Sequence, residues 1–84
     1  MQKYNVRNTQ DALAYLTDCT LATVCDMAQR KSKSKSEYAR QIDIAQAGFH
    51  WMHTMKVDLA GTRAEAVMND FGGSVKKWAC QFEV

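Results

Sequence analysis

Five side chains in this sequence have the chemistry to bind a transition metal or to act as nucleophile and base. They are the thiols of Cys19, Cys25 and Cys80 and the imidazoles of His50 and His53. A zinc knuckle needs cysteines about two to four residues apart, whereas Cys19 and Cys25 are six apart and no Cys-x-x-Cys occurs. No third group marks a Cys–His nucleophile either. We therefore expect exposed or boundary histidines, and neither a metal nor a catalytic pair.

Other signatures of enzymes are missing as well. The sequence has no phosphate-binding glycine loop and no nucleophile elbow, so we expect a protein that binds a partner and uses no cofactor. Its odd number of cysteines is typical of a reducing compartment, because small secreted domains usually pair an even set. Residues 1–7 lack the apolar stretch of a signal peptide. The longest uncharged run, residues 44–55, is too short to span a membrane, so we predict a cytoplasmic protein.

The positive charge of the chain is confined to one short segment. Residues 30–40 carry a net charge of +4, whereas residues 1–29 and residues 41–84 each carry −1. The cations responsible are Arg30, Lys31, Lys33, Lys35 and Arg40. A basic connection leading into a helix N-terminus suits a phosphate backbone or an acidic protein surface. Like charges are also common in a solvated turn, and both interpretations stay open.

The same segment lies where a helix-turn-helix motif would have its turn. Residues 21–28 and 37–44 match the outline of that motif. The turn position that usually holds glycine is Ser32, however, and the apolar positions of the second helix fall one residue late, at Ala39 and Ile42. The first helix is also longer than the motif requires, so we do not favour it.

Helix-start signals in the surrounding sequence predict four helices. Each signal is a capping side chain ahead of a periodic apolar run, and the four are Asn8, Ser34, Thr62 and Ser74. Ser34 and Thr62 also have a glutamate three residues later, which fits the capping box. The predicted helices cover about 9–30, 36–56, 62–71 and 74–82, with a basic turn at 30–36.

Apolar spacing predicts which helix faces are buried. The first helix has one stripe, made of Leu13, Leu16, Thr20, Val24 and Met27. The second helix has a stripe of Tyr38, Ile42, Ala45, Phe49 and Met52, and beside it a stripe of Ile44, Gly48, Trp51 and Met55. The second helix is therefore either packed on both sides or has a face left for a partner. We predict one all-α domain over residues 1–84, with two long antiparallel helices and a short C-terminal helical hairpin across them.

Large apolar side chains are concentrated in the C-terminal half. Six of the eight aromatic residues follow residue 37, and most of them must be core in so small a chain. Four of the large side chains together present more apolar surface than four helices can cover: Trp51, Met55, Trp78 and Phe82. Those that stay exposed would anchor a partner protein or a second copy of the chain.

In its size, its single domain and its lack of catalytic motifs, the chain resembles the small accessory proteins of bacteriophages and mobile elements. Anti-CRISPR proteins and other host-takeover inhibitors are among them. The resemblance implies a stoichiometric inhibitor in the bacterial cytoplasm, a monomer or homodimer, that occludes a surface of a host protein or nucleoprotein complex. The cations of residues 30–40 would steer the encounter, and the exposed apolar residues would anchor it. The alternative is a small nucleic-acid-binding protein that uses the same basic segment.

Overall fold

The computed structural model describes residues 8–84. These residues form four helices and no strand. The helices are α1 (Thr9–Ala28), α2 (Lys35–Thr54), α3 (Arg63–Phe71) and α4 (Val75–Cys80). The all-α prediction is confirmed, and every predicted helix end lies within two residues of the observed one. The signal-peptide prediction concerns residues 1–7, which lie outside the described residues. Within the described part of the chain, no helix combines the length and the apolar character required to cross a membrane.

Three of the predicted helix caps are present. The side chains of Asn8, Ser34 and Ser74 each accept a hydrogen bond from the backbone N–H three residues ahead, at 2.9, 3.3 and 3.2 Å. Each satisfies a donor that the first turn of a helix leaves without a partner, which is worth about 1 kcal/mol. These local signals explain why α1, α2 and α4 begin where they do.

Thr62 is the residue that precedes α3, as predicted, but the predicted side-chain capping bond is missing. Its hydroxyl donates to the carbonyl of Leu59 at 2.7 Å and makes no capping bond to α3. The first backbone N–H of α3, that of Arg63, instead donates to Oδ1 of Asp18 on α1 at 3.1 Å. The guanidinium of Arg63 donates to the other carboxylate oxygen at 2.9 Å. Asp18 therefore caps α3 and also ties it to α1.

The buried face of α1 differs from the predicted one. Its buried residues are Ala14, Thr17, Leu21, Val24 and Ala28. Leu16, which belongs to the predicted stripe, is 61% exposed, whereas Leu21 is fully buried. The spacing of three and four residues was predicted correctly, but most of the buried residues lie one position after the predicted ones. The reason is that α1 has apolar or small residues on most of its sides, so periodicity alone permits more than one buried face.

The first apolar stripe of α2 is confirmed as core, with Ile42 partly buried, and in the second stripe Ile44, Trp51 and Met55 are exposed. Tyr38, Ala45, Phe49 and Met52 are buried between the helices. Gly48 lies against α1, and a Cβ built on it would come within 2.5 Å of the Thr17 hydroxyl. Glycine at this position therefore lets the two long helices approach closely.

Two of the four proposed apolar anchors belong to the core instead. Trp78 is only 3% exposed, so it is not available to a partner. Phe82 is partly buried and packs edge-to-face on Trp78, with 5.1 Å between ring centroids. Both rings pack against the core through tertiary contacts that the local sequence does not predict.

The two short helices cover one side of the α1–α2 pair. Asp18 holds α3 there, as described above. Gln46 of α2 holds the start of α4: its Nε2 donates to the carbonyl of Gly73 at 3.0 Å, and its Oε1 accepts from the N–H of Val75 at 2.8 Å. Because both short helices are fixed to this side, no helix of residues 8–84 lies over the opposite side of the α1–α2 pair.

Candidate interaction surface

Four exposed apolar side chains lie on that uncovered side, and we call them the open face. They are Leu16 of α1, Ile44 and Trp51 of α2, and Met55 at the end of α2. Their exposed fractions are 61%, 46%, 56% and 36%. Among the described residues, the only other large apolar side chain this exposed is Val84, at the C-terminal end.

Helix geometry places these four residues together. At about 100° per residue, Ile44, Trp51 and Met55 all lie within about 60° of Gly48, on the side away from Phe49. Phe49 faces the turn between α3 and α4, because a Cβ built on Gly73 would lie closest to the Phe49 ring. On α1, Leu16 and Asp18 lie on opposite sides of Thr17, and Asp18 binds α3. Thr17 contacts Gly48 where α1 and α2 pack together. Leu16 therefore lies beside the same contact as the α2 residues.

The basic residues lie around the turn between α1 and α2, and only Arg40 is on the same side of α2 as Ile44, since Lys35 is nine residues before Ile44 and points the opposite way. We call Arg30, Lys31, Lys33, Lys35 and Arg40 the basic end. Arg30 forms an ion pair with Asp26. The Lys33 ammonium donates to the carbonyl of Arg30 at 3.2 Å and lies 5.4 Å from the ring centroid of Tyr38. Lys33 is thus partly engaged by its own chain.

Arg40 connects the basic end to the open face. It precedes Ile44 by one helical turn, so the two side chains lie on the same side of α2. Its side chain is 73% exposed, and its nearest carboxylate oxygen, on Glu37, is 4.0 Å away. Such an exposed pair is worth less than about 1 kcal/mol and leaves the guanidinium accessible to another acid.

The sequence-predicted site is therefore brought together only in part. Trp51 and Met55 are exposed on the open face, as the partner hypothesis requires, and of the five cations Arg40 adjoins it. Trp78 is excluded because it is buried, and Phe82 is partly buried against Trp78 and lies outside the open face. Leu16 and Ile44 were not proposed as partner-binding residues. Ile44 could have been found, because it shares the second stripe with Trp51, whereas Leu16 was assigned to the core.

The thiols and imidazoles do not form a site. Cys19, Cys80 and both histidines are exposed, as predicted for the histidines. Cys25 is partly buried, and its sulfur accepts a hydrogen bond from Gln29 at 3.3 Å. Within residues 8–84, no group of three or more His, Cys, Asp or Glu side chains is arranged to hold a metal ion.

One titratable group is strongly perturbed, and it has a structural role. The hydroxyl of Tyr38 donates to Oε2 of Glu83 at 2.7 Å and joins the C-terminal segment to α2. Burial raises the pKa of Tyr38 well above its usual value, and the hydrogen bond to Glu83 raises it further. The neutral hydroxyl is therefore favoured in the folded chain.

We expect stability to depend on pH through Tyr38. The folded-state pKa is raised, so its contribution is fully present below about pH 10, where the unfolded tyrosine ionises, and is lost as the pH rises towards the folded-state pKa. Replacing Tyr38 by phenylalanine should cost about 1 kcal/mol at neutral pH and flatten the alkaline decline. Urea unfolding between pH 7 and pH 11 checks this. An equally steep decline in the variant would assign the effect to other groups.

The chain was compared with protein-family models, with curated proteins and with solved structures, and none of the three comparisons found a match.

Proposed function

We propose that this chain is a non-catalytic protein-binding module whose open face docks on a surface of a bacterial host protein and occludes it. The supporting observation is that Leu16, Ile44, Trp51 and Met55 form one exposed apolar surface on the side that α3 and α4 leave uncovered. Such a surface costs solubility unless it is used, and contiguous exposed apolar residues are typical of interfaces. Tryptophan and methionine are also enriched in interfaces.

Each part of the surface has a different task in this proposal. Trp51 is the anchor, because a tryptophan that is more than half exposed gains the most from burial against a partner. The basic end raises the association rate and sets the orientation, since exposed charges act on encounter more than on final affinity. The bacterial host and its cytoplasm come from the resemblance to phage inhibitors and from the odd number of cysteines.

Replacing Trp51 by glutamate tests the proposal. A tagged full-length chain should capture one bacterial protein in a stoichiometric amount from lysate at moderate salt, and mass spectrometry would identify it. With that protein purified, the Trp51→Glu variant should bind at least about tenfold more weakly, which corresponds to about 1.4 kcal/mol. The reason is that the carboxylate would be buried in an apolar contact.

Val84→Glu is the matched control. Val84 is also an exposed apolar residue, 68% accessible, and lies near the end of α1, where its N–H donates to the carbonyl of Ala28 at 3.3 Å. This variant should bind like the original chain. Thermal unfolding of both variants shows whether the fold is retained. The absence of a stoichiometric partner, or equal binding by the Trp51→Glu variant, would contradict the proposal.

The alternative function, nucleic-acid binding through the basic end, predicts a different result. If four or five phosphates were contacted, affinity for any duplex would fall with salt with a log–log slope of about −4. We expect a shallower slope, because Arg30 is paired with Asp26 and Lys33 donates to a carbonyl of its own chain. A salt titration with a short DNA duplex decides between the two functions. A slope near −4 would support the alternative.

A further inference from the structure

We infer that a second copy of this chain covers the open face when no other protein is bound there, and that the two α1–α2 pairs then form an antiparallel four-helix bundle. The inference concerns the same face as the proposed function but does not depend on a host protein. Because one face cannot hold two occupants, the dimer and a complex with a host protein exclude each other. The observations that carry it lie on the side of α1 next to the open face.

That side of α1 is uncharged along most of its length. Thr17 contacts Gly48, and at about 100° per residue five residues between positions 13 and 27 lie about 40–120° from Thr17 on the side away from Asp18. We call them the α1 row, and they are Leu13, Leu16, Thr20, Thr23 and Met27. The charged residues of α1 are Asp11, Asp18 and Asp26, and none of them lies on this side.

The side-chain hydroxyls of the α1 row already have acceptors within α1. The hydroxyl of Thr20 donates to the carbonyl of Leu16 at 2.9 Å, and that of Thr23 donates to the carbonyl of Cys19 at 3.1 Å. An apolar surface laid over these threonines would therefore leave neither hydroxyl without an acceptor, and the usual penalty for burying a polar group would not arise. The α1 row thus suits the same kind of occupant as the open face.

Two copies of this surface fit each other when the two-fold axis runs parallel to the helices. In that arrangement α2 of one copy lies antiparallel over α1 of the other, as in an up-and-down helix bundle. Since Thr17 contacts Gly48 within each copy, Leu16 lies at the level of about residue 49 of α2. Leu16 of the second copy therefore falls beside Trp51, where Ala47 and Gly48 leave room for it.

The only cation on this side of α2, Arg40, stays at the edge of such an interface. By the same correspondence it lies at the level of about residue 25, near the end of α1. Its side chain is 73% exposed in the single chain, and its long stem lets the guanidinium remain in water at the rim of the dimer. The central part of the interface therefore contains no charge from either copy.

The size of the surface predicts a weak dimer. At about 1.5 Å per residue the α1 row is about 21 Å long, and two helices side by side are about 20 Å wide. With the relief of the side chains included, two copies would bury about 1,000 Å² in total, which is near the lower limit for a specific interface. A host protein that binds more tightly would displace a second copy held this weakly.

Sedimentation equilibrium of the purified full-length chain tests the dimer. Between about 10 µM and about 1 mM the apparent mass should rise from monomer towards dimer. A reducing agent prevents cross-links through the exposed Cys19 and Cys80. Trp51→Glu and Leu16→Lys should each weaken dimerisation at least about tenfold, because each puts a charge into an apolar contact. Val84→Glu, outside the surface, should not change it, and thermal unfolding shows whether each variant is folded.

An equimolar mixture of Trp51→Glu and Leu16→Lys tests the arrangement. In a mixed dimer one contact between Leu16 and Trp51 is unchanged, and the other joins the two introduced charges, which are opposite in sign. The mixture should therefore dimerise at least about fivefold more tightly than either variant alone. A chain that stays monomeric at about 1 mM, or a mixture that dimerises no better than its components, would overturn the inference.

Failure of the proposed function looks different. The dimer is measured on the purified chain alone, whereas the proposed function requires the capture of a host protein from lysate. A dimer without any captured protein would contradict the proposed function and support this inference. A captured host protein together with a strictly monomeric chain would do the reverse.

Discussion

Replacing Leu21 by alanine is expected to lower the free energy of unfolding by about 3 kcal/mol. Leu21 is fully buried and is one of the largest fully buried side chains of the core. Its truncation removes the transfer free energy of the side chain and leaves a cavity, because the surrounding helices relax only in part. For a chain of this length the melting temperature should fall by about 12–24 °C. Urea unfolding and thermal unfolding, both followed by circular dichroism, measure the change.

Leu16→Ala is the matched control for Leu21→Ala. It removes the same atoms from the same helix, but Leu16 is 61% exposed. Its cost should stay within about 0.5 kcal/mol, as for other exposed substitutions. If Leu16→Ala proved the more destabilising of the two, the buried face of α1 would be the one that the sequence predicted and the open face would lose one of its four residues.

Replacing Gly48 by alanine is expected to destabilise the fold by about 2 kcal/mol, although alanine is the better helix former. The new Cβ would lie 2.5 Å from the Oγ1 of Thr17, 3.2 Å from its Cγ2 and 3.3 Å from its Cβ. A β-branched side chain has few allowed χ1 rotamers in a helix, and rotation leaves the Thr17 Cβ in place, so we expect α1 and α2 to separate. Ala47→Gly is the control, since Ala47 is exposed on the same helix and should cost only about 1 kcal/mol from helix propensity.

A second substitution identifies the cause of the Gly48 effect. Thr17→Ala removes the two nearest atoms, Oγ1 and Cγ2, and keeps only Cβ, so the double variant with Gly48→Ala should regain about 1–2 kcal/mol relative to the sum of the single effects. The coupling comes from a double-mutant cycle of urea unfolding. Additive effects would show that the glycine is required for some reason other than contact with Thr17.

Much of the secondary structure could be predicted from the sequence because its signals are local. A cap such as Ser34 acts on the N–H only three residues ahead, and the apolar spacing of α2 repeats within each turn. The predicted helix ends were accordingly within two residues of the observed ones. The candidate site was predicted less well, since exposure depends on which elements cover a residue and both Trp51 and Trp78 have the same local chemistry.

By itself, the sequence determined the all-α class, the number of helices over residues 8–84 and the first buried stripe of α2, because capping and periodicity act over one or two turns. Only the tertiary structure decided that Asp18 caps α3 across 45 positions and that Trp78 is buried. It also decided that α1 faces inwards with Leu21 and outwards with Leu16. These outcomes depend on where α3 and α4 pack, and that packing is set by contacts between residues distant in the chain.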